Sequence, residues 1–213
     1  MRKRFEGQLN ELNRHMTQMG EILNEALAMM VKALVNRDVE LAKKVIVNDL
    51  TVDEMEKDIE QLCMRLLMQQ QPVAGDLRII SSALKIITDM ERIGDHAADI
   101  SDNITYMHKD DYVPHIGDIV TMADKAGAMV RDSIRAFLQK DLDLAKEVLT
   151  KDDEVDALFL KAKLDLIKKL HKDASFSEQA LDLMMNAKYL ERIGDHAENI
   201  AGWVVFAITG DRV

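Results

Sequence analysis

The chain has 213 residues, of which 47% are apolar and 31% charged, so it can bury a core and stay in solution. Only 4% of the residues are aromatic and only two are proline, a composition that disfavours β-sheets and favours long helices. The net charge of −10 argues against a nucleic-acid partner, because binding to phosphates requires lysine and arginine to neutralise them.

Six helices are predicted in chain order, three in each half. The first runs to about residue 35, and a short break at 36–38 supplies N-cap candidates, Asn36 and Asp38, for the second, which runs to about residue 70. A turn at 71–75 precedes the third, which is predicted to run from about residue 76 to about residue 108. In the second half, where Ser175 and Glu178 have capping-box spacing, the predicted helices are 116–139, 141–172 and 177–209.

Apolar residues on these helices recur at steps of four and three, the pattern of the core seam in a left-handed helical bundle. Short turns between such helices make neighbours antiparallel. We therefore expect an all-α fold built from two tandem antiparallel three-helix bundles. On the third predicted helix the repeating positions are Ile79, Ala83, Ile86, Met90, Ile93, Ala97, Ile100, Ile104 and Met107.

The two halves of the chain are copies of one another. The seven residues Glu91–Ala97, with the sequence ERIGDHA, recur unchanged at 191–197. Upstream, an offset of 103 residues relates Asp49 to Asp152. An internal duplication therefore predicts a first three-helix repeat at 1–109 and a second at 115–213, with the junction near 110–114.

At duplicated positions, each of the two later helices of each half carries an acidic residue followed four positions later by aspartate. Residues four apart share one helix face. In an antiparallel hairpin, residues equally distant from the turn lie at the same height. Both cross-helix pairs of the first half are centred on position 72, inside the predicted turn, and the second half repeats this relation. The eight residues are Asp49, Asp53, Glu91, Asp95, Asp152, Asp156, Glu191 and Asp195.

These acids are expected to line an outward-facing groove in each half, because Met90 and Ile93 occupy the core seam and Glu91 and Asp95 fall beside it. Clustered carboxylates repel one another unless protons, cations or basic groups compensate their charge. Oxygen ligands suit ions such as Mg²⁺, Ca²⁺, Mn²⁺ and iron, with zinc a further candidate. A solvated acidic face without metal is the alternative.

Residues beside the acidic motifs have other predicted roles. Asp99 is a candidate extra ligand, and its counterpart Asn199 is a weaker one. His96 and His196 lie about 140° around their helices from the glutamate of each motif, so we expect them to pack or hydrogen-bond rather than bind the ion. Gly94, inside a helix, indicates either a close approach by a neighbour or a tolerated glycine.

The single cysteine, Cys63, excludes an internal disulfide and fits a reducing compartment. The basic N-terminus is not followed by the apolar stretch of a signal peptide, so we expect a cytoplasmic protein. No pattern indicates a nucleophile with its base or a phosphate-binding glycine loop, so we expect no enzymatic activity. The alternatives are a carboxylate-bridged di-metal oxidase and a metal-free helical scaffold.

The repeated ERIGD segment, the segment QPVAGDLR at 71–78 and the Asp-x-x-x-Asp motifs on the preceding helices resemble the PhoU family over almost the whole chain. The resemblance implies PhoU-like, spectrin-like helix packing with metal clusters at the eight acids, and it implies a homodimer. Arg78 in the QPVAGDLR segment is either a partner contact or a surface charge, and the second half lacks this segment.

The same resemblance implies a negative regulator of the phosphate regulon and of high-affinity phosphate uptake, which would influence transcription indirectly. The implied partners are the ATPase subunit of the phosphate ABC transporter (PstB-like) and a membrane-bound sensor histidine kinase (PhoR-like). Contact with the membrane is expected only through such partners.

Overall fold

The structure is a computed structural model that describes residues 2–70, 73–107 and 117–212. Every regular element in these ranges is helical, which confirms the predicted all-α fold. The predicted turn at Gln71 and Pro72 and the predicted junction at 110–114 lie outside the described residues. Within the described ranges, no helix is both long and apolar enough to cross a membrane.

The helices begin and end within a few residues of the predicted positions, with one helix of the second half divided in two. The elements are α1 (Arg2–Asn36), α2 (Val39–Gln70), α3 (Ala74–Tyr106), α4 (Gly117–Gln139), α5 (Leu142–Leu149), α6 (Asp152–Lys172) and α7 (Ser177–Thr209), with a short 3₁₀ helix at Ala174–Phe176.

The turn after the first helix of each half has the same construction. Arg37 and Lys140 both adopt a left-handed backbone conformation, with φ of 52° and 54°. The aspartate that follows each, Asp38 or Asp141, accepts a hydrogen bond from the backbone N–H three residues later, at 3.0 and 2.9 Å. The N-cap predicted at Asp38 is therefore confirmed, and the duplication extends to the turns.

The prediction of one continuous helix at 141–172 was wrong, because the chain leaves the α-helix between α5 and α6. The Thr150 hydroxyl donates to the carbonyl oxygen of Glu147 at 2.8 Å, and the Lys151 N–H bonds back to Val148 at 2.9 Å. These bonds span three residues and tighten the last turn of α5. The Lys151 ammonium is held by carboxylates of Glu147 and Asp132 at 2.8 and 3.2 Å.

The start of α7 also differs from its prediction. The capping group is Asp173, which accepts from the backbone N–H of Ser175 at 3.0 Å and from its hydroxyl at 2.6 Å. Asp173 therefore caps the 3₁₀ helix, whereas Phe176 at the N-cap of α7 makes no side-chain capping bond. The capping box predicted from Ser175 and Glu178 was wrong.

The first three helices pack on one another in the first half, and α4 to α7 do so in the second. The halves meet where α3 packs against α7 and α1 against α4, and their buried apolar residues form one core. The predicted seam of α3 is buried from Ala83 to Ile104, and only its end members Ile79 and Met107 are partly exposed. The two repeats therefore share a hydrophobic interior.

The contact between α3 and α7 brings the two histidines of the repeated motif together. The rings of His96 and His196 lie 5.6 Å apart, and His196 Nδ1 lies 2.9 Å from Asp89 Oδ1. Farther along, the Asn103 amide donates to Asn186 Oδ1 at 2.9 Å. Both histidines thus lie in the interface between the halves, where His96 packs against the ring of Tyr189 and His196 pairs with Asp89, in agreement with the predicted packing and hydrogen-bonding roles.

Candidate functional site

The first acidic cluster lies between α2 and α3. Asp49 and Asp53 are on successive turns of α2, and Asp95 is on α3. One carboxylate oxygen from each lies within 4.8 Å of those of the other two. The equal height predicted from the hairpin is therefore observed. All three residues are half-buried, and we call this cluster site one.

The second cluster, site two, has the equivalent residues Asp152 and Asp156 on α6 and Asp195 on α7, again with carboxylate oxygens within 4.8 Å of one another. The two clusters differ in their position along the helix. Asp152 is the first residue of α6, whereas Asp49 lies inside a continuous helix. The break between α5 and α6 therefore gives site two a helix N-terminus, whose partial positive charge favours carboxylates.

The glutamates of the motifs lie at the edges of the sites and pair with basic residues. Glu91 lies 3.4 Å from the guanidinium of Arg92, which also donates to Asp95 at 2.8 Å. In site two, Glu191 accepts a hydrogen bond from Lys188 at 2.6 Å. Each site thus has one basic side chain at its edge. Its positive charge only partly balances the negative charge of the three clustered carboxylates.

The candidate extra ligands are placed differently in the two halves. Asp99 lies 3.6 Å from His96, and its charge contributes to raising the pKa of Asp49. Asn199 is exposed. In site two, the charge of Glu198 takes the part that Asp99 has in site one, and it is the neighbouring charge that does most to raise the pKa of Asp152. Glu198 was not among the predicted ligands, although its three-residue spacing from Asp195 puts both on one helix face.

Carboxylate oxygens in both sites are buried and have no hydrogen-bond partner among the described residues. They belong to Asp49 and Asp53 in site one and to Asp152 in site two. Folded proteins rarely leave such atoms unsatisfied, because burying an unpaired polar or charged oxygen is costly. A cation that prefers oxygen ligands, bound in each site, would satisfy these three oxygen atoms. The residues present therefore fit a hard metal ion.

The glycines of the repeated motif make room for these carboxylates. A Cβ atom placed on Gly94 would lie only 2.7 Å from Asp49 Oδ1, and one on Gly194 would lie 3.1 Å from Asp152 Oδ1. Both values are below a normal van der Waals contact, so beside alanine Asp49 would have to move away, and Asp152 would have to shift by a few tenths of an ångström. Of the two interpretations of Gly94, the structure supports the close approach.

The substitution Gly94→Ala is expected to weaken metal binding at site one by about tenfold or more, because the Asp49 carboxylate must rotate away from the new methyl group. The stability of the metal-free protein should change by less than about 1 kcal/mol, since alanine is favoured over glycine inside a helix by a similar amount. Calorimetric titration with Mn²⁺, in a background where Asp152→Asn and Asp195→Asn disable site two, measures the effect.

Gly202→Ala in α7 is the matched control, because a Cβ there meets no atom within 4 Å. That variant should bind metal at site one with unchanged affinity. An unchanged affinity in Gly94→Ala as well would contradict the role assigned to this glycine.

Burial and mutual repulsion make one aspartate in each site a weak acid. Burial, followed by the charge of Asp95, raises the pKa of Asp49 from 3.8 to about 6. Burial, followed by the charge of Glu198, raises the pKa of Asp152 to about 7. The pKa of Glu91 is also raised, mainly by burial. Without metal, therefore, the folded protein holds protons in both sites at pH values where free aspartate has lost them.

The melting temperature of the metal-free protein is expected to rise by a few degrees when the pH is lowered from 7.5 to about 5. Aspartate has a pKa near 3.9 in the unfolded chain, whereas Asp49 and Asp152 have pKa values near 6 and 7 in the folded protein. At pH values between these limits, the native state binds more protons than the unfolded state. The stability that these groups contribute is thus complete at low pH and is lost as the pH rises through their folded pKa values.

Calorimetric scans of dialysed protein across this range measure that pH dependence. The variant Asp49→Asn, Asp152→Asn carries no titrating group at these positions, so its melting temperature should rise less over the same interval. Equal pH dependence in both proteins would contradict the assignment.

Arg78 lies away from the acidic clusters, at the end of the molecule where α3 begins and α7 ends. It is half-buried, and its guanidinium is so close to Gly210 that a Cβ there would lie 3.3 Å from Arg78 Nη1. Gly210 is the C-cap of α7, and a cation at a helix C-terminus is electrostatically favourable. Arg78 therefore has an intramolecular role, and its contact with a partner stays a prediction.

The chain is similar to known proteins along its whole length. The PhoU domain family model matches it twice, at residues 16–104 and 119–204, so that each half contains one match. A phosphate-specific transport system accessory protein PhoU homolog of Clostridium acetobutylicum is 37% identical over 213 residues, which is 100% of this chain and 97% of the relative.

Solved structures share the fold. PhoU from Pseudomonas aeruginosa superimposes with a TM-score of 0.93 at 32% identity, covering 97% of this chain and 100% of that chain. The phosphate transport system regulatory protein PhoU from Streptococcus pneumoniae superimposes with a TM-score of 0.91 at 26% identity, covering 98% of this chain and 99% of that chain. Both likenesses extend over the two halves, including α2, α3, α6 and α7, which carry the acidic clusters.

Proposed function

Because this chain belongs to the PhoU family, we propose that it is a negative regulator of the phosphate regulon and of high-affinity phosphate uptake. It acts in the cytoplasm as a non-enzymatic adaptor between the ATPase subunit of the phosphate ABC transporter and a sensor histidine kinase, and it works as a homodimer. The full-length likeness to a transport-system accessory protein supports this role.

The observation that carries the metal-binding part of the proposal is the pair of equivalent three-aspartate clusters with buried, unsatisfied oxygens. Asp49, Asp53 and Asp95 hold metal in site one, with Glu91 at its edge. In site two the corresponding ligands are Asp152, Asp156 and Asp195, with Glu191 and Glu198 beside them. The metal supplies positive charge that ends the repulsion between carboxylates and joins neighbouring helices.

The geometry favours an adaptor over a di-metal oxidase. Di-metal carboxylate enzymes of helical bundles use glutamates and histidines that project into the bundle core. Here the acids are outside the buried seam, and both histidines lie in the contact between α3 and α7, where His196 pairs with Asp89. The clusters therefore lie between two neighbouring helices, outside the bundle core in which an oxidase would bind its metals.

The regulatory role is tested in cells grown with ample phosphate. Deleting the gene should raise the rate of [³²P]phosphate uptake and the activity of a phosphate-regulon reporter, and the wild-type gene should restore both. A gene with all six clustered aspartates changed to asparagine should restore them only partly. Unchanged uptake and reporter activity after the deletion would overturn the regulatory proposal, whereas full restoration by the six-fold variant would overturn only the part assigned to metal.

A further inference from the structure

Five large apolar side chains are exposed on α6 and α7, the two helices of one hairpin. On α6 they follow steps of four and three residues and so form one stripe, opposite the buried Ala162 and Leu166. Two more, four residues apart, are exposed on α7. The exposed fractions are 56% for Leu160, 48% for Leu164, 39% for Ile167, 65% for Leu181 and 46% for Met185.

The same part of α6 is basic, although the chain as a whole has a net charge of −10. Residues 160–172 contain five lysines and one aspartate, which gives a local charge of 5 − 1 = +4. Lys161 and Lys168 pair with aspartates at 2.8 and 2.9 Å. Lys163 and Lys172 are exposed and have no acidic partner in the part of the chain that the structure describes.

The first half of the chain shows that this positive charge is not a requirement of the fold. At the 103-residue offset, the equivalent segment of α2 is 57–69, whose two basic and two acidic residues cancel. Met64, the counterpart of Ile167, is likewise exposed, with a fraction of 46%. Both helices therefore expose apolar side chains, but only α6 surrounds them with positive charge.

From this surface we infer that the outer face of α6 docks on an anionic lipid bilayer. The α6 outer face comprises Leu160, Leu164 and Ile167 with the lysines of 160–172. A helix with an exposed apolar stripe beside lysines lies in the interface of anionic membranes, where the side chains enter the headgroup region and the lysines meet lipid phosphates.

The acidic residues elsewhere in the chain do not prevent this contact. Along α6, the nearest member of site two is Asp156, four residues or about 6 Å before Leu160 and eight residues or about 12 Å before Leu164. Because electrostatic interactions in physiological salt are screened over about 8 Å, Asp156 repels anionic lipid near Leu160 but much less near Leu164 and Ile167, so the contact is centred on that later part of α6 and its lysines. Glu178 and Asp182 at the start of α7 reduce the positive charge on that side, which makes α6 the centre of the contact.

This inference goes beyond the proposed regulatory function and replaces the expectation of purely indirect membrane contact. Full-length protein, kept in a chelator so that metal cannot bridge carboxylates to lipid, is mixed with vesicles of phosphatidylglycerol and phosphatidylethanolamine and then sedimented. Binding should weaken as salt increases and be absent from vesicles of phosphatidylcholine. The variant Lys163→Glu, Lys172→Glu should bind at least about fivefold more weakly for each lysine replaced.

Matched controls use the duplicated helix. Ile167→Gln should reduce binding, whereas Met64→Gln at the equivalent position of α2 should leave it unchanged, and both variants should keep the wild-type melting temperature. Absence of binding to the anionic vesicles, or equal binding to both lipid mixtures, would overturn the inference. Loss of regulation in cells by the lysine variant without any vesicle binding would also overturn it, and would assign the face to an acidic protein.

Discussion

Manganese added to metal-free protein is expected to raise the melting temperature by about 5–10 °C for each acidic site that it fills. A ligand at a hundred times its dissociation constant stabilises the native state by about 2.7 kcal/mol. For a domain of this size, 1 kcal/mol corresponds to about 2–4 °C. The increase should be larger at pH 8 than at pH 6, because protons compete for Asp49 and Asp152, whose pKa values are near 6 and 7.

Paired substitutions separate the two sites in this measurement. Asp49→Asn with Asp95→Asn should remove the increase that belongs to site one, and Asp152→Asn with Asp195→Asn should remove the remainder. These variants should also be more stable than the wild type without metal, because they relieve the repulsion. The quantity compared is therefore the difference between scans with and without metal.

An acidic pair outside the sites provides the control. Glu21 and Glu25 on α1 have the same four-residue spacing and are exposed. Replacing both with glutamine should leave the manganese effect intact. If the four-fold aspartate variant still gained as much from manganese as the wild type, the metal sites would have to lie elsewhere.

Gly20→Leu is expected to destabilise the protein by about 3 kcal/mol and to lower its melting temperature by about 6–12 °C. Gly20 is where α1 of the first half approaches α4 of the second. A Cβ at this position would lie 3.0 Å from Ile134 Cγ2 and 3.9 Å from Met90 Cε. A leucine side chain would have to enter a part of the core that these two residues already fill.

Gly7→Leu on the same helix is the control, because Gly7 is exposed and a Cβ there meets no atom within 4 Å. It should be neutral or slightly stabilising, since leucine is favoured over glycine in a helix. Because the halves share one core, Gly20→Leu should lower a single cooperative transition. A second transition appearing at unchanged temperature would show that the halves unfold independently.

The acidic clusters were predictable because their positions depend on quantities local to one hairpin. Residues four apart share a helix face, and distance from a turn sets the height along an antiparallel pair at 1.5 Å per residue. That relation placed Asp49 opposite Asp95 without any knowledge of the remaining helices. The break between α5 and α6 was missed, because it depends on Thr150 bonding to its own helix and on Lys151 bonding to Asp132 in α4.

By itself, the sequence determined the helical class, the limits of most helices, the buried seam of α3 and the level at which the acids meet, because helical periodicity and duplication are written into the order of residues. Only the tertiary structure decided that the two repeats share a core, that Gly94 makes room for Asp49 and that burial turns Asp49 and Asp152 into weak acids. Desolvation and close contact depend on groups far apart in the chain, and their positions become defined only when the helices pack together.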